Sequence, residues 1–132
     1  MWREIRPLAS EQLSDFEREF DFKINPDFRE FLLDHNNGAP AGVYIPTRTK
    51  KRRIHKFLDF ADHSSSEGAW AVNLRLREEV GEKRIIFGVD ALGNFLCLER
   101  NYRKQKVVLW NHLTDEFEPC LLEIPAFLRE IF

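Results

Sequence analysis

Residue types that catalyse reactions occur in this chain, but none of them falls in a known catalytic motif. The histidines, at positions 35, 55, 63 and 112, are scattered along the sequence. There is no HExxH pattern, no G-x-S-x-G elbow and no glycine-rich phosphate loop. We therefore predict that the chain is not an enzyme. A nucleophile and its base can also meet only in the folded protein, so a small hydrolase is kept as an alternative.

One short segment carries the residue types of a metal site. It contains Asp59, Asp62 and His63 and is followed by a serine-rich helix cap at residues 64–67. All three side chains are also expected in a polar loop that leads into a helix with a serine cap. We therefore predict no bound metal and no other cofactor.

Acidic side chains form two dense clusters in the second half of the chain. Carboxylates gathered in this way are candidates for binding a basic protein surface, where they speed association and select the partner. The first cluster lies in a predicted loop and the second follows the third predicted helix; they consist of Asp115, Glu116 and Glu118, and of Glu78, Glu79 and Glu82.

Basic side chains are concentrated in residues 46–56, which hold six of them and which we predict to be a loop. A solvated loop, a contact with a protein partner and a nucleic-acid contact are the three interpretations of this segment. Nucleic acid is disfavoured because the net charge is −2 and the segment has no aromatic residue for base stacking.

Several features predict a cytoplasmic protein with one domain over residues 1–132. Cys97 and Cys120 lie in apolar segments without CxxC spacing, which indicates buried, reduced thiols. Residues 1–6 lack the apolar run of a signal peptide, and no apolar stretch is long enough for a membrane span.

Helices and strands follow one another in an order that predicts an α+β domain. Helices are predicted from Ser10, from Pro26 to the Asn36-Asn37-Gly38 stop, and from Pro125. A further helix is predicted from the serine-rich cap to about Glu79, although residues 70–76 also alternate as a strand does. Strands are predicted at residues 43–45, 57–60, 84–89, 95–99 and 107–110, with a turn at residues 90–94, a polar segment at residues 100–104 and a loop at residues 111–118.

Four segments in this order resemble the SUKH superfamily, which includes bacterial relatives of the yeast cell-wall-assembly regulator. They are residues 24–32 (INPDFREFL), residues 36–38 (NNG), residues 87–98 (FGVDALGNFLCL) and residues 107–112 (VVLWNH) followed by an apolar helix. The resemblance extends over residues 10–132. It implies a mixed, largely antiparallel sheet flanked by helices.

The resemblance also implies a function. Many bacterial members are immunity proteins that bind and neutralise a cognate toxin, often a nuclease. We therefore expect a protein-binding domain whose acidic clusters contact a basic toxin, with residues 46–56 away from that contact. Trp110 and His112 are candidates for the edge of the binding groove, although a buried strand end explains them as well. A regulatory scaffold that binds a cellular protein is the alternative.

Overall fold

The protein is described from a computed structural model that covers residues 2–101 and 104–131. It combines an antiparallel sheet with helices that are segregated from the strands along the chain, which confirms the predicted α+β fold class. In chain order they are β1 (Trp2–Arg3), α1 (Ser10–Glu19), α2 (Pro26–His35), β2 (Ala39–Pro40), β3 (Tyr44–Pro46), β4 (Lys51–Phe57), α3 (Ala69–Arg75), α4 (Arg77–Val80), β5 (Arg84–Asp90), β6 (Phe95–Asn101), β7 (Lys104–Asn111), β8 (Glu116–Glu123) and α5 (Ile124–Ile131).

The first two helices form the predicted hairpin. The Asn25 side chain accepts hydrogen bonds from the backbone N–H groups of Asp27 and Phe28 and so caps α2. Arg29 then ties the two helices together, since its guanidinium contacts Glu17 at 3.1 Å and the Ser10 hydroxyl at 3.0 Å. Both helices therefore present fixed apolar faces to the core.

Six strands form one antiparallel sheet in the order β3-β4-β5-β6-β7-β8, so each strand pairs with its neighbour in the chain. The sheet is strongly curled. Thr47, after β3, forms a bridge with Cys120 of β8, so the first and last strands meet. The Arg84 guanidinium in β5 lies 3.9 Å from the ring centre of Phe117 in β8. In a flat sheet these strands would be about 14 Å apart.

Aromatic rings join the helices to the sheet. Phe28 of α2 packs 4.8 Å from Phe87 of β5 and 6.0 Å from Phe127 of α5, measured between ring centres. Trp2 of the short β1 strand packs edge-on against Phe57 at the end of β4. These contacts hold the helices on the sheet. They do not involve the turns that connect the strands at one end of the sheet.

The structure corrects the predicted loop at residues 46–56. Most of it is β4, in which Ile54 and Phe57 are buried whereas Lys51, Arg53 and His55 are exposed. The number of charged residues hid the strand, but burial alternates along it and Ile54 pairs with Asp90. The predicted strand at residues 57–60 is also wrong beyond Phe57, because the chain leaves the sheet there.

Two further boundaries differ from the prediction. The third helix begins at Ala69 rather than in the serine cluster, and it ends at Arg75 before the short α4. The predicted loop at residues 111–118 is wrong from Glu116 onward, where β8 begins, because the acids and the proline of β8 weaken the strand signal. Of the polar segment at residues 100–104, residues 100 and 101 are the last of β6 and residue 104 is the first of β7; residues 102 and 103 lie outside the described part.

Candidate functional site

Three hairpin tips meet at one end of the sheet. They are residues 47–50 between β3 and β4, residues 91–94 between β5 and β6, and residues 112–115 between β7 and β8. A cavity of about 400 Å³ lies between them, with Arg48 and Asn94 on two of its sides and Thr114 on the third. We call this surface the hairpin end.

Two leucines stand out from the hairpin end. Leu113 is 85% exposed and Leu92 is 76% exposed, which makes them the two most exposed large apolar side chains among the described residues. Each lies at a hairpin tip beside charged or polar groups. Exposed apolar anchors within a polar rim are typical of protein-binding surfaces.

The β7–β8 turn holds the first acidic cluster. Asp115, at φ +57°, accepts a hydrogen bond of 3.1 Å from the Trp110 indole N–H. Trp110 is only 1% exposed and stacks between Phe95 and Phe117. Trp110 is therefore a core residue that orients the turn, whereas His112 is exposed with its ring beside Phe95.

Glu118 is held by the β3–β4 hairpin. Its carboxylate lies 3.5 Å from the Arg52 guanidinium and accepts a hydrogen bond of 2.9 Å from the Thr49 hydroxyl. The side chains of Thr47 and Thr49, together with Arg52, lower the pKa of Glu118 against the opposing effect of burial. The basic and acidic segments, which we expected to lie apart, are thus in contact.

Glu116 differs from its two acidic neighbours. It is exposed on the wall of the cavity and forms no ion pair with any described cation. Of the first cluster, Glu116 is therefore the carboxylate that a partner can engage without breaking an internal contact.

The second acidic cluster lies at the opposite end of the sheet. Glu78 and Glu79 are exposed on α4, and Glu82 is exposed just before β5 begins. The seven residues of β5 then cross the sheet to the hairpin end, a distance of about 20 Å. The two acidic clusters therefore belong to separate surfaces.

Asp59, Asp62 and His63, which have the residue types of a metal site, make contacts with other side chains and with the backbone. Asp59 accepts a hydrogen bond of 2.9 Å from the Asn36 side chain, and Asp62 accepts one of 2.8 Å from the Ser64 backbone. The His63 ring lies 4.0 Å from Trp70. No group of three or more His, Cys, Asp or Glu side chains within the described ranges has metal-binding geometry.

Asp90 closes the β5–β6 turn, which the sequence predicts at residues 90–94. Its carboxylate accepts hydrogen bonds from the backbone N–H groups of Leu92 and Asn94, and Gly93 has φ +87°. This turn fixes the direction in which Leu92 projects.

A family model described as SMI1-KNR4 cell-wall, of the SUKH type, matches residues 10–123. The chain belongs to this family. No curated protein and no solved structure matches the chain. Among the described helices of this SUKH domain, none has the length and apolar character required to cross a bilayer.

Proposed function

We propose that this SUKH domain is a non-enzymatic, cytoplasmic protein that binds and neutralises a cognate bacterial toxin. The observation that carries the proposal is the pair of exposed leucines, Leu92 and Leu113, on hairpin tips around a cavity with charged walls. A partner that covers this end would bury both leucines in a patch of roughly 800 Å² per side.

The charges of the β7–β8 turn, which is one of the three tips at the hairpin end, support a partner with a basic surface at that turn. Asp115 and Glu116 are exposed residues at the β7–β8 turn, and the Asp115 carboxylate also accepts the Trp110 hydrogen bond. A nuclease-type toxin attracts phosphate with cations, and carboxylates presented by an inhibitor complement them and raise the association rate. Glu118 contributes less in this account, because Arg52 already compensates its charge.

The test begins with the gene directly upstream, which should encode the toxin. Co-expression of that toxin domain should give a complex, and the dissociation constant of the complex is then measured. Changing Leu113 or Leu92 to Ser, which removes the apolar side chain without adding a charge, should weaken binding by about 30-fold or more, as expected for an anchor worth at least 2 kcal/mol. Leu74→Ser is the matched control, since Leu74 is 51% exposed on α3. Equal affinity for all three variants would exclude the hairpin end as the toxin-binding surface.

The amount of this protein that neutralises a given amount of toxin distinguishes a binding protein from an enzyme. A binding protein protects its target only when it is present in amounts close to equimolar. An enzyme that modified or destroyed the toxin would act at a small fraction of that amount. Complete neutralisation at a hundredth of the toxin concentration would therefore contradict the non-enzymatic proposal.

The family description favours one second candidate function, because it refers to the cell wall. A regulatory scaffold would use the same exposed leucines to bind a cellular protein. Its partner would be encoded elsewhere in the genome, and the chain would give no protection against the product of a neighbouring toxin gene.

A further inference from the structure

β4 separates its basic residues between two faces of the sheet. Arg52 lies opposite Ile45, which is buried, whereas Arg53 lies opposite Tyr44, which is 46% exposed. Lys51 shares the outward side with Arg53, because alternate residues of a strand point the same way. The strand therefore displays a row of cations beside an exposed aromatic ring.

Most of the six cations in residues 46–56 form no ion pair with a carboxylate in the described part of the chain. Arg52 is paired with Glu118, and Lys56 donates a hydrogen bond of 2.9 Å to the Asn37 side chain. The remaining four form no ion pair with any carboxylate in residues 2–101 and 104–131; they are Arg48, Lys50, Lys51 and Arg53.

We propose that the outward face of the β3–β4 hairpin binds an extended acidic segment of a protein partner. Lys51 and Arg53 are about 7 Å apart along the strand, which is also the spacing of alternate side chains in an extended peptide. Glutamates at alternate positions of such a peptide can face both cations, while its aliphatic carbons lie on Tyr44. Arg48 and Lys50 extend the charged row to the hairpin tip.

This inference goes beyond the toxin assignment and does not depend on it. The outward face of the β3–β4 hairpin carries cations and the β7–β8 turn carries carboxylates, so these two neighbouring surfaces have opposite charge preferences. A partner with a basic surface at the β7–β8 turn and an acidic strand beside it would engage both. A different acidic protein would engage the β3–β4 face alone.

Charge elsewhere on the chain favours a protein segment over nucleic acid. Outside residues 46–56 the chain has fourteen basic and twenty-two acidic side chains, and its overall net charge is −2. A nucleic-acid strand carries phosphates continuously past such a surface, so Asp115 and Glu116 at the same end would repel it. Tyr44 is also a single ring, whereas single-strand binding stacks successive bases on several.

The test uses a fluorescein-labelled peptide in which glutamate alternates with threonine, and its binding is followed by fluorescence anisotropy at low salt. The double variant Lys51→Ser/Arg53→Ser should bind about tenfold more weakly, as expected for the loss of two exposed ion pairs. Lys83→Ser/Arg129→Ser removes the same charge from exposed positions elsewhere and should bind as the unchanged protein does. Thermal unfolding verifies that both double variants are folded.

Three results would overturn the proposal. The first is no binding of the peptide by the unchanged protein. The second is equal weakening in both double variants, which would show a general charge effect only. The third is tighter binding of single-stranded oligothymidylate than of the peptide, with the loss confined to Lys51→Ser/Arg53→Ser; the face would then bind nucleic acid.

Discussion

Arg52 of β4 and Glu118 of β8 form an ion pair of 3.5 Å across the line where the two ends of the sheet meet. Both side chains are mostly buried, and the Thr49 hydroxyl completes the contact at 2.9 Å. The pair lies beside the Thr47–Cys120 bridge that brings β3 to β8. The carboxylate of Glu118 is therefore neutralised at the place where the curled sheet closes.

Glu118→Gln should destabilise the fold by about 1 kcal/mol, because it removes the charge that compensates a mostly buried arginine. Urea unfolding at neutral pH measures the change. Glu116→Gln is the matched control and should leave the free energy of unfolding unchanged. If Glu116→Gln were the more destabilising of the two, the ion pair would have no part in closing the sheet.

The acid sensitivity of the same contact follows from the lowered pKa of Glu118. Its stabilisation is fully present above the unfolded glutamate pKa of about 4.3 and is lost as the pH falls through the lower folded value. The stability difference between the unchanged protein and Glu118→Gln should therefore shrink on acidification below about pH 4. A difference that stays constant to acid pH would argue against the lowered pKa.

Asp115 should be replaceable by Asn but not by Ala. Asp115→Ala leaves the buried Trp110 N–H without its acceptor, and alanine is strained at φ +57°; we expect a loss of about 1–3 kcal/mol. Asp115→Asn keeps an acceptor and tolerates the left-handed conformation. Urea unfolding followed by tryptophan fluorescence compares the two. Equal losses would show that the indole hydrogen bond does not stabilise the turn.

Asp59 and Asn36 should control acid unfolding of the segment between β4 and α3. Burial acts to raise the pKa of Asp59, but hydrogen bonds from Asn36, from the backbone of Ala61 and Asp62 and from Arg6 outweigh it and lower the pKa. Asp59→Asn should cost about 1–3 kcal/mol at neutral pH. Because the folded pKa lies below the unfolded value of about 3.9, this cost should diminish as the pH falls below about 4. An Asp59→Asn variant as stable as the unchanged protein at neutral pH would contradict this role.

The two cysteines, both free thiols in the structure, should react at very different rates. Burial raises the pKa of the Cys97 thiol and also that of Cys120, but Cys120 is only half-buried beside β3. A thiol reagent should therefore label Cys120 slowly in the folded protein and Cys97 only after unfolding. Cys120→Ser should abolish labelling of the folded protein; residual labelling would place Cys97 within reach of solvent.

Local patterns in the sequence determined the helical hairpin, the β5–β6 turn and the SUKH family. Asn25 and Pro26 specify where α2 begins, and Asp90 with Gly93 specifies a turn, because each acts on backbone groups a few residues away. Helix starts and turns of this kind can be predicted from a few neighbouring residues, without knowledge of the rest of the fold. The order of these elements along residues 10–132 then sufficed for the family resemblance.

Tertiary structure alone decided which of the charged side chains are paired within the fold and which are exposed to solvent. In the sequence, Arg52 and Arg53 are adjacent and equivalent, and Asp115, Glu116 and Glu118 form one cluster. The pleat of β4 turns Arg52 toward Glu118 and Arg53 toward solvent. The curl of the sheet brings the two segments together from more than sixty residues apart. A contact over that separation depends on strand register and sheet closure, which no local residue pattern encodes.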